Sequence, residues 1–90
     1  MIAEIEAYVR REIEKLTEGQ KITLKALIFA GYKGEREELV KMLIEALGGD
    51  GIKESPLVES FTYTFSGENV RYWRILPEYY RAVRKIIFGD

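Results

Sequence analysis

Apolar residues recur along this chain with a period that changes twice, from helical to alternating and back. Ile2, Ile5, Val9, Ile13 and Leu16 fall at helical spacing among Glu, Arg and Lys, and predict a first helix over residues 3–16. Thr17-Glu18-Gly19 reads as its stop, with Gly19 as a left-handed terminator. Thr23 then caps a second, shorter helix that carries Leu24, Leu27 and Ile28 and ends at Gly31. A third helix is expected from about Glu35, where Glu35, Glu37 and Glu38 suit the positive end of the helix dipole. Its buried stripe is Leu39, Val40, Leu43, Ile44 and Leu47, and Gly48-Gly49-Asp50-Gly51 ends it.

The period then falls to two. Phe61, Tyr63 and Phe65 alternate with Thr62 and Thr64, the pattern of a strand. Ser66-Gly67-Glu68-Asn69 reads as the turn of a hairpin, which sets Phe65 opposite Val70, Tyr63 opposite Tyr72 and Phe61 opposite Arg74. One face is then aromatic and suited to a core. The other carries Thr64 with Arg71 and Thr62 with Trp73, and suits solvent. Pro77 fits the first turn of a last helix whose apolar side is Tyr79 or Tyr80, Val83, Ile86 and Ile87. A short strand near Lys21-Ile22 is available to pair with the hairpin.

Ninety residues hold one core, so residues 1–90 are expected to be a single domain. No apolar run approaches a membrane span, and the N-terminal stretch is too polar for a secretory signal, which predicts a cytoplasmic protein with no membrane partner. Cysteine and histidine are both absent. That excludes disulfides, thiolate chemistry, Ser-His-Asp catalysis and the commonest zinc ligands. The glutamates at 35, 37 and 38 are too few for an oxygen-ligand site, and neither GxxxxGK[ST] nor GxGxxG occurs. The expectation is a non-enzymatic protein without metal or cofactor. Glu far outnumbers Asp, and there is a single Asn and a single Gln, a balance seen in thermophile proteins.

The order helix, helix, helix, hairpin, helix resembles the winged helix-turn-helix family over most of the chain. The stretches that carry the likeness are "TLKALIFAGYKGEREELVKMLIEAL" for the two-helix unit, "GGDGIKE" for the entry to the wing, and "RYWRILPEYYR" for the closing strand and terminal helix. The last piece is similar to that of small archaeal, viral and bacterial regulators. The resemblance implies an α+β fold with three helices, a β-hairpin wing and a C-terminal helix. It implies a transcription regulator whose third helix enters the major groove of duplex DNA while the wing touches the backbone. On this sequence the residues in those positions are Lys33, Arg36 and Lys41 at the third helix, and Lys53, Arg71 and Arg74 at the wing. The family's dimer seam falls on the first and last helices, where Ile5, Val9, Tyr80, Val83 and Ile87 stand, and implies a homodimer.

Net charge is −1, with a basic excess only from Arg71 onward. The outward face of the third helix would carry Glu37, Glu38, Lys41 and Glu45, and carboxylates facing phosphates repel. A second reading therefore stands beside the first: a protein–protein interaction module within a larger complex. Trp73 and Tyr72 also bear on base stacking, set against the core packing that aromatic residues ordinarily provide. The discriminating feature is whether Lys33, Arg36, Lys53, Arg71 and Arg74 converge on one surface.

Overall fold

The computed structural model describes residues 2–89. Among them, four α-helices and a three-stranded antiparallel sheet make an α+β fold. The elements in chain order are α1 (Ile2–Glu14), α2 (Glu18–Phe29), β1 (Glu35–Arg36), α3 (Glu37–Leu47), a single 3-10 turn (Ile52–Glu54), β2 (Val58–Phe65), β3 (Glu68–Ile75) and α4 (Pro77–Phe88).

The break between the first two helices differs from the expected one. Thr17, not Thr23, is the cap of α2. Its hydroxyl accepts from the Gln20 backbone N–H, and the Gln20 side chain accepts from the Thr17 N–H, so two orphan donors are satisfied reciprocally. Gly19 lies in the first turn of α2 rather than ending α1. It is there because the backbone of Gly48, at the C-terminal end of α3, crosses directly over it, and a Cβ on Gly19 would collide with the Gly48 carbonyl. Thr23 sits one turn further on, fully buried, with its hydroxyl donating to the Gly19 carbonyl at 2.9 Å. Gly49 packs against that same threonine, where no side chain fits. Gln20 closes the junction by donating to the Asp50 carbonyl at 2.8 Å.

The strand that completes the sheet is also not at Lys21-Ile22, which lie inside α2. It is Glu35–Arg36, immediately before α3, and it pairs with β3 with Glu35 opposite Trp73 and Arg36 opposite Tyr72. The sheet order is β1-β3-β2. The hairpin turns on Ser66 and Gly67 alone, both with positive φ, as two-residue hairpin loops require. Phe65 therefore faces Glu68, Tyr63 faces Val70 and Phe61 faces Tyr72, two residues away from the four-residue-turn register. A shift of two keeps every side chain on its expected face.

What the register shift preserves, the packing reverses. The core gathers Val9 and Ile13 of α1, Leu24, Leu27 and Ile28 of α2, Val40 of α3, then Ile52, Leu57, Val58, Ile75, Tyr80, Ala82 and Val83. From the hairpin it takes only Val58 and Ile75, with Trp73 packed alongside. These belong to the face that also carries Thr62, Thr64 and Arg71. The aromatic face looks away from the body, and Phe61 and Phe65 remain 37% and 42% exposed. The expectation that the aromatic face seals the core is thus inverted. The helices cover only the base of the hairpin, and from Ser60 to Asn69 every residue except Tyr63 is exposed.

A Gly→Ala change inside a helix ordinarily stabilises by about 0.5–1 kcal/mol. Gly19→Ala is expected to do the opposite and destabilise by about 1–3 kcal/mol, the range for overpacking, because the backbone of α3 occupies the space. The midpoint of guanidinium unfolding measures the sign.

Candidate nucleic-acid interface

The six basic residues singled out from the sequence divide between the two faces of the sheet. Arg71 and Arg74 are three positions apart on β3, so alternation sends them to opposite sides. On the outer side stand Lys33, Arg36 and Arg74. On the other lie Arg71, exposed opposite Thr62, and Lys53 of the 3-10 turn, with Lys41 exposed on α3. The five residues whose convergence would mark one DNA surface therefore do not all meet.

The inner group is organised around a carboxylate. Glu37, at the start of α3, accepts a 2.8 Å hydrogen bond from the Trp73 indole N–H. Lys53 lies 3.8 Å from the same carboxylate and 5.0 Å above the Trp73 ring. The indole hydrogen bond holds the Glu37 carboxyl below its ordinary range, against a smaller opposing effect of desolvation, and Lys53, Arg71 and Lys41 pull it the same way. Lys53 is committed to this arrangement.

The outer group is organised around rings. Tyr63 is the centre of a ladder, 4.8 Å from Phe61, 6.0 Å from Phe65 and 4.9 Å from Tyr72 across the strands. Lys33, in the turn leading to β1, places its ammonium 5.1–5.4 Å from the rings of Tyr72, Phe65 and Tyr63. Arg36, paired to Tyr72 across the sheet, hydrogen-bonds the phenol, which lowers the Tyr72 pKa and raises its own. Tyr72 is buried, under this local cover rather than in the main core. Arg74 lies 4.1 Å over Phe61 and is fixed by Glu59 at 2.7 Å. Among the described residues, Lys33 and Arg36 form no ion pair with a carboxylate.

Sequence reasoning missed Glu37 and Glu59, which set the orientation of Trp73 and Arg74. The Glu59–Arg74 pair was within reach, because a two-residue Ser-Gly turn places them directly opposite. The Glu37–Trp73 bond spans 36 residues and follows only from the tertiary contact.

The residues expected at a dimer seam serve this chain's own interior. Val9 and Val83 are fully buried between α1, α4 and the core. Tyr80 is buried and its hydroxyl donates to the Ile28 carbonyl at 2.5 Å. Ile87 packs on the core, half-buried. Only Ile5 keeps an exposed side, beside Ile2 at the mouth of an open hollow of about 700 Å³ that also reaches Tyr32 and Arg81. No helix is long and apolar enough among the described residues to cross a membrane. Compared with known proteins, the chain matches no family model, no curated protein and no solved structure.

With its folded pKa lowered, Glu37 stabilises the protein above the ordinary glutamate range, and this contribution is lost as pH falls through the lowered value. Trp73, the only tryptophan, reports it directly. An acid titration of its fluorescence should show a step with a midpoint below the ordinary glutamate range, and Glu37→Gln should remove that step.

Proposed function

We propose that this protein is a nucleic-acid-binding domain of winged-helix type that grips its ligand with the outer face of the hairpin rather than with a helix laid in a groove. The observation that carries the reading is the pair Lys33 and Arg36, two cations that form no ion pair with a carboxylate among the described residues, held beside rings on the exposed face of the sheet. Phosphate contacts need such cations, and they supply most of non-specific affinity.

The winged-helix part of the reading rests on order and spacing. A helix-turn-helix joins two helices by a short turn that often contains glycine. That description fits α3, the turn Gly48-Gly49-Asp50-Gly51, and the 3-10 turn at Ile52–Glu54. The hairpin that follows takes the place of the wing. On this alignment the groove-reading position is held not by α3 but by a single turn of three residues, with Ile52 buried and Lys53 tied to Glu37. A recognition helix fills the major groove with several side chains, and one 3-10 turn does not. The outward face of α3, with Glu38, Met42 and Glu45 exposed, repels phosphate. The hairpin is left as the binding element.

That same α3 face favours a second reading, an interaction module. Leu39 and Met42 are 43% and 63% exposed between acidic residues, as suits a protein partner with an apolar, basic groove.

Salt-titrated binding separates the two. Lys33→Ala should weaken binding to a nucleic acid of any sequence and lower the slope of log K against log salt by about 0.7–0.9, one lost phosphate contact. The double change with Arg36→Ala should lower it by about twice that. Arg71→Ala, on the opposite face, should leave both affinity and slope nearly unchanged, and thermal unfolding should confirm that all three variants fold. Absence of salt-dependent binding at low ionic strength would pass the assignment to the interaction module.

A further inference from the structure

Phosphate contacts account for Lys33 and Arg36, but not for the rings between which they sit. A hairpin that only needed a basic edge would gain nothing by presenting Phe61 and Phe65 to water. Burial of such side chains is worth roughly 1.5–3 kcal/mol each, and here part of it is forgone, with 37% of Phe61 and 42% of Phe65 left exposed. The two rings stand four residues apart on β2 with the Tyr63 ring between them, 4.8 Å from Phe61 and 6.0 Å from Phe65. Arg74 adds a planar guanidinium over Phe61, held by Glu59. Rings at intervals along a strand, flanked by cations, match a chain that is both polyanionic and lined with flat apolar groups.

Single-stranded nucleic acid has that chemistry. Its bases are free to leave their own stack and lie against aromatic rings or a guanidinium plane, while its phosphates meet the cations. A duplex offers the phosphates but keeps its base faces covered. An acidic protein would satisfy Lys33 and Arg36 and leave the regular ring spacing without a role.

We infer that the outer face of the hairpin is a stacking platform for single-stranded nucleic acid, with bases on Phe61 and Phe65 and phosphates on Lys33 and Arg36. This inference rests on the nucleic-acid reading above and narrows it. Tyr63 and Tyr72 are the supporting layer: their contacts fix the two exposed rings and the lysine. Recognition is tolerant of sequence, because every base has a flat face. Trp73 has no part in it, since it lies on the other side of the sheet against Glu37.

The test uses fluorescence anisotropy with three labelled probes at matched salt: a thymidine oligonucleotide of about twelve residues, a duplex of the same length, and an abasic strand of the same length. The thymidine strand should bind about tenfold or more tighter than either of the others. Phe61→Ala and Phe65→Ala should each weaken it by about fivefold to a hundredfold, the range for one lost stacking contact, with the salt slope unchanged. Duplex affinity should not move. Phe65→Leu keeps apolar bulk without the ring and should behave like Phe65→Ala, with thermal unfolding as the control for folding. If the abasic strand or the duplex binds as tightly as the thymidine strand, or if the phenylalanine changes leave thymidine binding intact, the platform is overturned while phosphate binding stands. If no probe binds in a salt-dependent way, both readings fall together.

Discussion

The arrangement of this small protein depends on one backbone-to-backbone contact. Gly19, in the first turn of α2, and Gly48, at the end of α3, meet without side chains between them. That approach fixes where α3 stops and therefore where the chain turns through Gly49 and Asp50 toward the sheet. Thr23 and Gln20 hold the junction with a hydrogen bond each, to the carbonyls of Gly19 and Asp50. With no disulfide and no metal cluster among the described residues, packing of this closeness is what remains to define the angle between helices. Ile52 and Leu57 then descend into the core, and the hairpin starts from a fixed base.

From that base the hairpin reaches past the helices that could cover it, and its two faces meet different fates. Val58 and Ile75 at the root are buried by the body. Farther out, no helix is available, and the aromatic side chains cover one another and are roofed in part by Lys33, Arg36 and Arg74. The outer face is thus a second, minor cluster built from rings and cations. Its stability comes from cross-strand pairs and cation–ring contacts, each of order 0.5–1 kcal/mol.

Much of this was legible in the sequence. The helical stripes placed Leu24, Leu27, Ile28, Val40 and Val83 correctly, and Pro77 marked the start of α4, but Leu39, expected in the buried stripe of α3, is 43% exposed. The failures have distinct physical sources. Gly19 carries the signature of a helix end, yet its role is steric, and only the position of α3 reveals it. The pattern Thr-x-x-Gln at 17–20 is the signature of the true cap. A strand of two residues leaves no periodic trace. Alternation tells which residues share a face but not which face meets the body, and a projecting hairpin offers both to solvent at its tip. The resemblance puts Arg71 and Arg74 together on the wing, although their odd spacing on one strand already separates them.

The sheet order leaves β2 at the rim, with one long side of hydrogen-bonding groups unmatched by any strand among the described residues. The segment Ser60–Phe65 on that rim is uncharged, free of proline and glycine, and alternates hydroxyls with rings. Such a segment is a template for adding a further strand, from another molecule as readily as from its own. What restrains it is brief: Glu59 before it, Glu68 across the turn, and a tight left-handed corner at Ser66-Gly67. Glu68 acts as a gatekeeper, in that like charges brought edge to edge repel, whereas the charge of Glu59 is matched by Arg74. That rim thus carries a standing hazard of self-association, and two glutamates flank it.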